Sequence, residues 1–411
     1  MAGQRNRPWG ALRHYGGLLA PRGATVMRMA TERNAGQRLR RLAHAASERA
    51  GERRSPSPQR MRTLTASPGG RLHWAGVPAP ALPGPAGAIV RPIAVATCDM
   101  DPLVGLGASP FPLPLHLGHE CVAEVIETGE RVTSVVAGQR VVVPFQINCG
   151  RCPACLAGRT ANCTAVPPVS MYGFGIGGGH WGGAYSERLA VPYADGMLVP
   201  LPPGIEPATA ASVADNVCDA YRHVAGYLPR LLEADAEAEV LIVGSVTRHT
   251  LFSGSNSLYT ALIARALGAR RVTIVDRRPA VLAHAQRLEL EVLQPADLRR
   301  RSPAALVADI SAHPAGLRLA LASTAPDGVC TSAGTLHRSA RIPALAMYAR
   351  NVTLHVGRAH ARTLIPDVLD LIAAGRLHPE VVTTVLDSLD NAPEALREHY
   401  LGGGIKTILT V

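Results

Sequence analysis

The sequence predicts an α/β chain of two domains, a small irregular β domain followed by a doubly wound parallel sheet. Three observations carry this prediction. Short β-rich runs broken by Gly and Pro fill the stretch from Gly87 to about residue 145, a strand-then-helix rhythm takes over after about Asp215, and 411 residues, 47% of them hydrophobic, exceed one ordinary core. No internal repeat interrupts this order.

Residues 1–60 read as a disordered tail. They hold thirteen arginines, no lysine and three acids (Glu32, Glu48, Glu52), so 13 − 3 = +10 of the net charge of +11 sits here, and they lack any sustained apolar period. Three origins compete: an Arg-rich organellar presequence, a nucleic-acid tail, or upstream sequence translated from a misassigned start, which is favoured because Met61-Arg-Thr-Leu-Thr opens the folded part naturally. The rest is close to neutral, which excludes the basic face of a nucleic-acid-binding domain. No apolar run approaches the ~18 residues that span a bilayer.

The β domain is expected over 61–215. Its runs are Ala88 to Thr97, Cys121 to Ile126 and Arg140 to Phe145. Inside it, residues 149–163 form a lobe around Cys149, Cys152, Cys155 and Cys163, with two gaps of two residues and one of seven. Two tight gaps and a longer return suit a tetrahedral thiolate cage, and zinc accepts four thiolates at about 2.3 Å. Adjacent disulfides and an iron–sulfur cluster are the alternatives. A closed four-sulfur site has no open coordination position, so the lobe is structural and the chemistry lies elsewhere. With only these four of eight cysteines clustered, the usage fits a reducing cytosol, hence a cytoplasmic protein.

The nucleotide half is expected over 216–349. Strands at Glu239 to Val243, Arg271 to Asp276, Ala305 to Asp309 and Gly328 to Ser332 alternate with helices near Leu258 to Leu267, from Pro279, and near Ala315 to Ser323. Residues 350–411 are expected to return to the first domain, with a strand at Val352 to Val356, helices near Leu364 to Ala374 and Ala392 to Tyr400, and a last strand from Lys406.

Gly118-His119-Glu120 precedes the Cys121 strand, with Gly129 and Val132 after it, and Cys98-Asp99-Met100-Asp101 lies about twenty residues upstream. With the four-cysteine lobe, the βα half and the C-terminal return, these residues resemble a zinc-dependent medium-chain alcohol dehydrogenase from roughly Ala88 to Val411; Ala123 stands where a glycine is usual. The resemblance implies a GroES-like irregular β-barrel catalytic domain joined to a Rossmann domain. It also implies a catalytic zinc held by Cys98, His119 and Asp215, with Cys218 as the rival third ligand. Glu120 would approach the metal from behind, and Asp101 would hydrogen-bond the ligand histidine, fixing its tautomer. Met100 departs from the family, because a hydroxyl there begins the proton relay; His116 and His180 are the candidate substitutes. His180-Trp181-Gly182-Gly183 resembles the family's glycine-rich turn after Met171 to Phe174, and Trp181 either lines the cleft or packs the turn.

A dinucleotide fingerprint needs Gly-x-Gly-x-x-Gly straight after the first strand, so that backbone can approach the pyrophosphate at a helix N-terminus. Here Gly244 is followed by a long gap before Gly254-Ser-Asn-Ser257. The resemblance selects the register in which Gly254 is the second glycine and Ser257 replaces the third, with an extended loop carrying Arg248. Asp276 ends the second strand, 22 residues after Gly254, where a carboxylate accepts both ribose hydroxyls and repels a 2′-phosphate. NAD is therefore expected over NADP, with Arg277 leaving room for the latter. Arg358 lies in a region that holds the cofactor in similar enzymes.

These readings converge on a cytosolic oxidoreductase with two zinc ions per chain that moves a hydride between a small alcohol, or its aldehyde or ketone, and NAD. A homodimer or homotetramer without nucleic-acid or membrane partners is implied. The alternative is a zinc-stabilised protein of the same fold that has lost nicotinamide binding and serves as a regulatory partner.

Overall fold

The computed structural model describes residues 59–99, 101, 113–173, 181–247, 250, 252–334 and 339–411. The tail to residue 58, Met100, Phe174, His180 and Arg248 lie outside the described residues.

The first domain is built from β1 (Arg60–Ser67), β2 (Arg71–Pro78), β3 (Ala88–Ala96), β4 (Leu115–His116), β5 (Glu120–Thr128), β6 (Arg140–Val143), β7 (Leu189–Val191) and β8 (Val199–Pro200). Strands β2-β1-β4 form a small sheet, and β3, β5, β6 and β8 run side by side in a second one, with β7 pairing β3 on the same sheet. Bulges in the β3–β5 register, one beside Pro92, break the ladder where proline offers no N–H. The four-cysteine lobe projects from this domain with helix α1 (Pro153–Leu156) between its second and fourth cysteines.

Six parallel strands make the second domain: β9 (Val240–Val243), β10 (Val272–Val275), β11 (Glu291–Leu293), β12 (Ala304–Asp309), β13 (Thr324–Ser332) and β14 (Thr353–Val356), in the order β11-β10-β9-β12-β13-β14. Strands β9 and β10 are buried on both faces, as parallel strands covered by helices must be, and their sequences are accordingly unbroken apolar runs or nearly so. The flanking helices used below are α2 (Asn216–Val224), α3 (Ser255–Ala266), α4 (Pro279–Arg287), α5 (Pro314–Ala322), α6 (Ala344–Tyr348), α7 (Ala361–Ala373) and α8 (Ala392–Glu398). Finally β15 (Val385–Ser388) and β16 (Thr407–Thr410) close the first domain, β16 lying antiparallel to β3.

The expectation that everything from residue 350 returns to the first domain needs correction. The run at Val352 to Val356 becomes β14, which pairs in parallel with β13 and completes the nucleotide-type sheet. Of the later elements, β15, α8 and β16 cross back, α8 packing on the first domain's core. The strand order has the switch point between β9 and β12, where such sheets open a ligand crevice at their carboxyl ends. Among the described residues no helix is long and apolar enough to cross a membrane.

Candidate active site

Strand register brings the first two site residues together. Ala96 pairs with Glu120 across β3 and β5, so Cys98, just beyond the end of β3, and His119, just before β5, emerge side by side. Gly118 makes the approach possible: it has φ 93°, and a Cβ there would lie 2.7 Å from Tyr185 N and from the Tyr185 ring. The third group arrives from the domain crossing. A 3-10 turn at Ala211–Ala214 ends in Asp215, which precedes α2 and turns its carboxylate toward the same point.

Asp215 Oδ2 lies 3.4 Å from His119 Nε2 and 3.7 Å from Cys98 Sγ. One ligand-type atom from each of Cys98, His119, Glu120 and Asp215 falls within 4.8 Å of the others, as do those of Cys149, Cys152, Cys155 and Cys163. Cys218, the rival, is buried one helical turn away and directs its Sγ to Ala361 O at 3.8 Å. On the far side of the histidine, Asp101 Oδ1 stands 3.7 Å from Nδ1, while its Oδ2 accepts the Cys98 N–H at 2.9 Å. Asp101 thus holds the turn carrying Cys98 as well as facing the ring. All eight cysteines are free of disulfides, which removes the disulfide alternative for the lobe.

A lysine that the sequence reading passed over completes the group. Lys406, on the return just before β16, places Nζ 3.0 Å from Glu120 Oε2 and 3.0 Å from Asn216 Oδ1, and donates to Thr97 O as well. Asn216 in turn donates to Asp215 Oδ2 at 3.2 Å and to Cys98 Sγ at 3.5 Å, and accepts from Ser255 Oγ, at the start of α3, at 3.4 Å. One polar chain therefore runs from Glu120 through Lys406 and Asn216 to the first turn of the nucleotide helix. Burial pushes the Glu120 carboxyl up to about 8 against the pull of Lys406. For His119, burial opposes the imidazolium, but Asp215, Asp101 and Glu120 outweigh it and hold the ring above its ordinary value.

Carboxyls of Asp101, Glu120 and Asp215 and a thiol therefore converge on one buried lysine and one histidine. Such an acidic excess in a dry site calls for a compensating cation. Glu120 Oε1, buried and without a hydrogen-bond partner, adds to that requirement. A sulfur, an imidazole nitrogen and a carboxylate oxygen are zinc donors, and three of them leave a fourth position for substrate. The four-sulfur lobe fits a closed structural zinc in the same terms.

Around the switch point, Asp276 is fully buried at the end of β10. Its carboxylate accepts from Ser245 N at 3.0 Å and from Arg278 N and Nε at 2.8 and 2.9 Å, with Arg278 Nη2 closing the ion pair. Arg277 is exposed and gives its N–H to Ser245 O. Gly254, with φ 98°, precedes α3, and a Cβ on it would lie 2.8 Å from the Arg278 guanidinium carbon. Gly244 is equally confined, since its Cβ would meet Asp276 Oδ2 at 2.2 Å. Ser257 is fully buried in the first turn of α3, and its Oγ has no hydrogen-bond partner. The long loop is tied on both sides: Arg278 Nη1 donates to Phe252 O at 2.6 Å, and Ser253 N donates to Asp99 Oδ1 at 2.6 Å. Neither Arg278 nor Asp99 stands out by spacing, because each acts across a tertiary contact.

Arg358 is brought elsewhere, to the cysteine lobe, where Nη2 meets Ala161 O at 3.1 Å and Asn162 Oδ1 at 3.4 Å. His116 is hydrogen-bonded to Thr65 Oγ1 at 3.0 Å, and Trp181 packs on the core of the first domain.

The family model described as the alcohol dehydrogenase GroES-like domain matches residues 84–203. A probable zinc-binding alcohol dehydrogenase of Mycobacterium tuberculosis is 29% identical over 339 residues, 81% of this chain and 83% of that protein. The alcohol dehydrogenase of Thermus sp. ATN1 superposes with a TM-score of 0.76 at 28% identity, covering 85% of this chain and 99% of its own. Its first domain matches the alcohol dehydrogenase GroES-like family, and along most of its length the chain is similar to zinc-dependent medium-chain alcohol dehydrogenases. It is an oxidoreductase of the alcohol dehydrogenase type, and the alternative of a regulatory protein without this activity is not favoured. A second relative, the glutathione-independent formaldehyde dehydrogenase of Pseudomonas aeruginosa, is 30% identical over 243 residues, 57% of this chain and 58% of that enzyme.

Proposed function

We propose that this enzyme interconverts a small alcohol and its carbonyl with NAD, using a zinc ion held by Cys98, His119 and Asp215 and a second, structural zinc in the four-cysteine lobe. The observation that carries the reading is the convergence of those three donors, backed by Glu120, at the foot of the parallel sheet's open crevice. When bound, zinc supplies a Lewis acid that eases deprotonation of the hydroxyl, and the nicotinamide supplies the hydride acceptor.

The chain's own residues do the rest. Asp101 orients His119 and steadies the loop of Cys98, while Asn216 holds the Asp215 carboxylate and the Cys98 sulfur in register. Lys406 keeps the buried Glu120 charge tolerable behind them. Gly244 and Gly254 let backbone approach a dinucleotide, Ser257 offers a free hydroxyl in the first turn of α3, and Asp276 provides the carboxylate for the ribose. A ribose would compete with the Arg278 guanidinium for the Asp276 carboxylate. Arg277 and Arg278 flank the position a 2′-phosphate would take, and Asp276 opposes it, so NAD is favoured. The enzyme works in the cytoplasm as a dimer joined through the open edge of β14.

The test is a fluorescence titration of the full chain with NADH, with NADPH in parallel and zinc counted on the same sample. Micromolar NADH binding, weaker NADPH binding and two zinc ions per chain are expected. Asp215→Asn should then hold one zinc ion and lose turnover; retention of both ions and full activity would overturn the ligand set.

A further inference from the structure

Three arginines surround His360 where the start of α7 meets the cysteine lobe, and a fourth follows two residues further on. Arg358 reaches Ala161 and Asn162 on the lobe, Arg362 lies in the first turn of α7, Arg159 belongs to the lobe itself, and Arg222 comes from α2. His360 marks their common centre: its Nδ1 accepts the Ala161 N–H at 3.1 Å, and after burial the influences that depress its protonation are Arg358, Arg159, Arg222 and His355. This wall adjoins the reaction site. Gln146 binds the backbone on both sides of His360, through Ala359 O at 2.9 Å and Ala361 N at 3.3 Å, and the preceding Phe145 sets its ring 5.9 Å from that of His119.

Among the described residues only Arg222 of these four arginines has a carboxylate partner. Arg222 has Asp219 at 2.5 Å, yet its buried Nη1 has no hydrogen-bond partner. Arg362 Nε is also buried without a partner, and among the described residues neither Arg358 nor Arg362 forms an ion pair, while burial disfavours the charge of both guanidinium groups. The segments of 59–411 outside the described residues (Met100, 102–112, 174–180, 248, 249, 251 and 335–338) contain no Asp or Glu. Partly dried guanidinium groups are costly unless an anion meets them, and their planar forks match carboxylate and phosphate oxygens.

We infer that this wall recognises an oxyanion on the substrate, so that the preferred alcohols carry a carboxylate or phosphate at the end remote from the reacting hydroxyl. The inference rests on the alcohol-oxidising reading above and narrows its substrate class. Arg358 thereby serves the substrate end of the cleft, and the Asp276 crevice serves the cofactor.

Matched substrates test it on the full-length zinc-loaded enzyme. 4-Hydroxybutanoate and 6-hydroxyhexanoate are compared with 1-butanol and 1-hexanol, and 4-hydroxybutyl phosphate separates the two oxyanions. The charged member of a pair is expected to have at least tenfold higher kcat/KM. Arg362→Gln should bring that ratio to near one, and Arg362→Lys should keep most of it, which separates charge from folding. A second arm needs no turnover: calorimetric titration with hexanoate and hexanamide, without cofactor, should show saturable binding of the anion alone, weakened at least fivefold by Arg362→Gln. Equal ratios for charged and neutral alcohols, or hexanoate binding no tighter than hexanamide, would overturn the inference and leave the dehydrogenase reading intact. Hexanoate binding in a protein that binds no NADH would do the reverse.

Discussion

Lys406 is the only lysine in the chain, and it is buried with Glu120 at a distance of 3.0 Å. Removing one partner of such a pair leaves an uncompensated buried charge, which typically costs about 3–5 kcal/mol. Lys406→Met is therefore expected to lower the unfolding free energy by that order, with Lys406→Arg recovering part of it; denaturant titrations of the two variants decide. Asp309, at the end of β12, tests the opposite case. It accepts from Ser311 Oγ at 2.5 Å and Ser332 Oγ at 2.7 Å, but burial prevails and raises its pKa from 3.8 to about 6. A carboxyl raised in the folded state binds its proton more tightly there than in the unfolded chain. Its contribution to stability is full below about pH 4 and is lost as pH rises through 6, in total about 3 kcal/mol. Asp309→Asn lacks this titration. Its stability relative to the wild type should move by about 2 kcal/mol in its favour between pH 4 and pH 7, and parallel pH profiles for the two proteins would refute the assignment. Lys406 is singular in the sequence as its one lysine, but its partner is not legible there, and Asp309 is one strand-end acid among several.

At the scale of elements, the cysteine lobe is anchored by two glycines set back to back. Gly150, with φ 70°, would drive a Cβ to 2.6 Å from Gly196 Cα, and a Cβ on Gly196 would reach 2.6 Å from the Cys149 carbonyl carbon. Backbone atoms cannot give way as a flexible side chain can. Gly196→Ala is thus expected to cost about 1–3 kcal/mol through overpacking and, on the proposed two-zinc reading, to speed loss of one ion to a chelator. Unchanged melting together with unchanged zinc release would show that the lobe tolerates the displacement. The lobe's ligand spacing is local and so was readable, whereas the contact that seats it joins positions 46 residues apart. The glycine loop makes the same point. Gly254 and Asp276 follow from spacing along β9, α3 and β10, but Asp99 and Arg278, which pin that loop, come from other elements.

For the whole molecule, β14 pairs β13 on one side and forms the end of the parallel sheet. Leu345 and Tyr348 on α6 and Val356 on β14 are 81%, 83% and 53% exposed beside that edge. An open strand edge with apolar neighbours favours pairing with a second copy over exposure to water. Sedimentation should give a dimer for the wild type and a monomer for the double variant Leu345→Glu, Tyr348→Glu; a wild-type monomer would remove this interface. The sequence by itself determined the class of each domain, the four-sulfur lobe and the Cys98 and His119 segments, because periodicity and ligand spacing are short-range properties written along the chain. Tertiary structure alone decided where the last segment crosses between the sheets, which residue joins Cys98 and His119, and how Lys406 comes to face Glu120 across 286 positions. It also decided that Arg358 lies with Arg159, Arg222 and Arg362 instead of with the dinucleotide loop. Each of these depends on strands that pair across domains, and the charge of a buried site is balanced by whichever groups the fold brings there, not by neighbours in sequence.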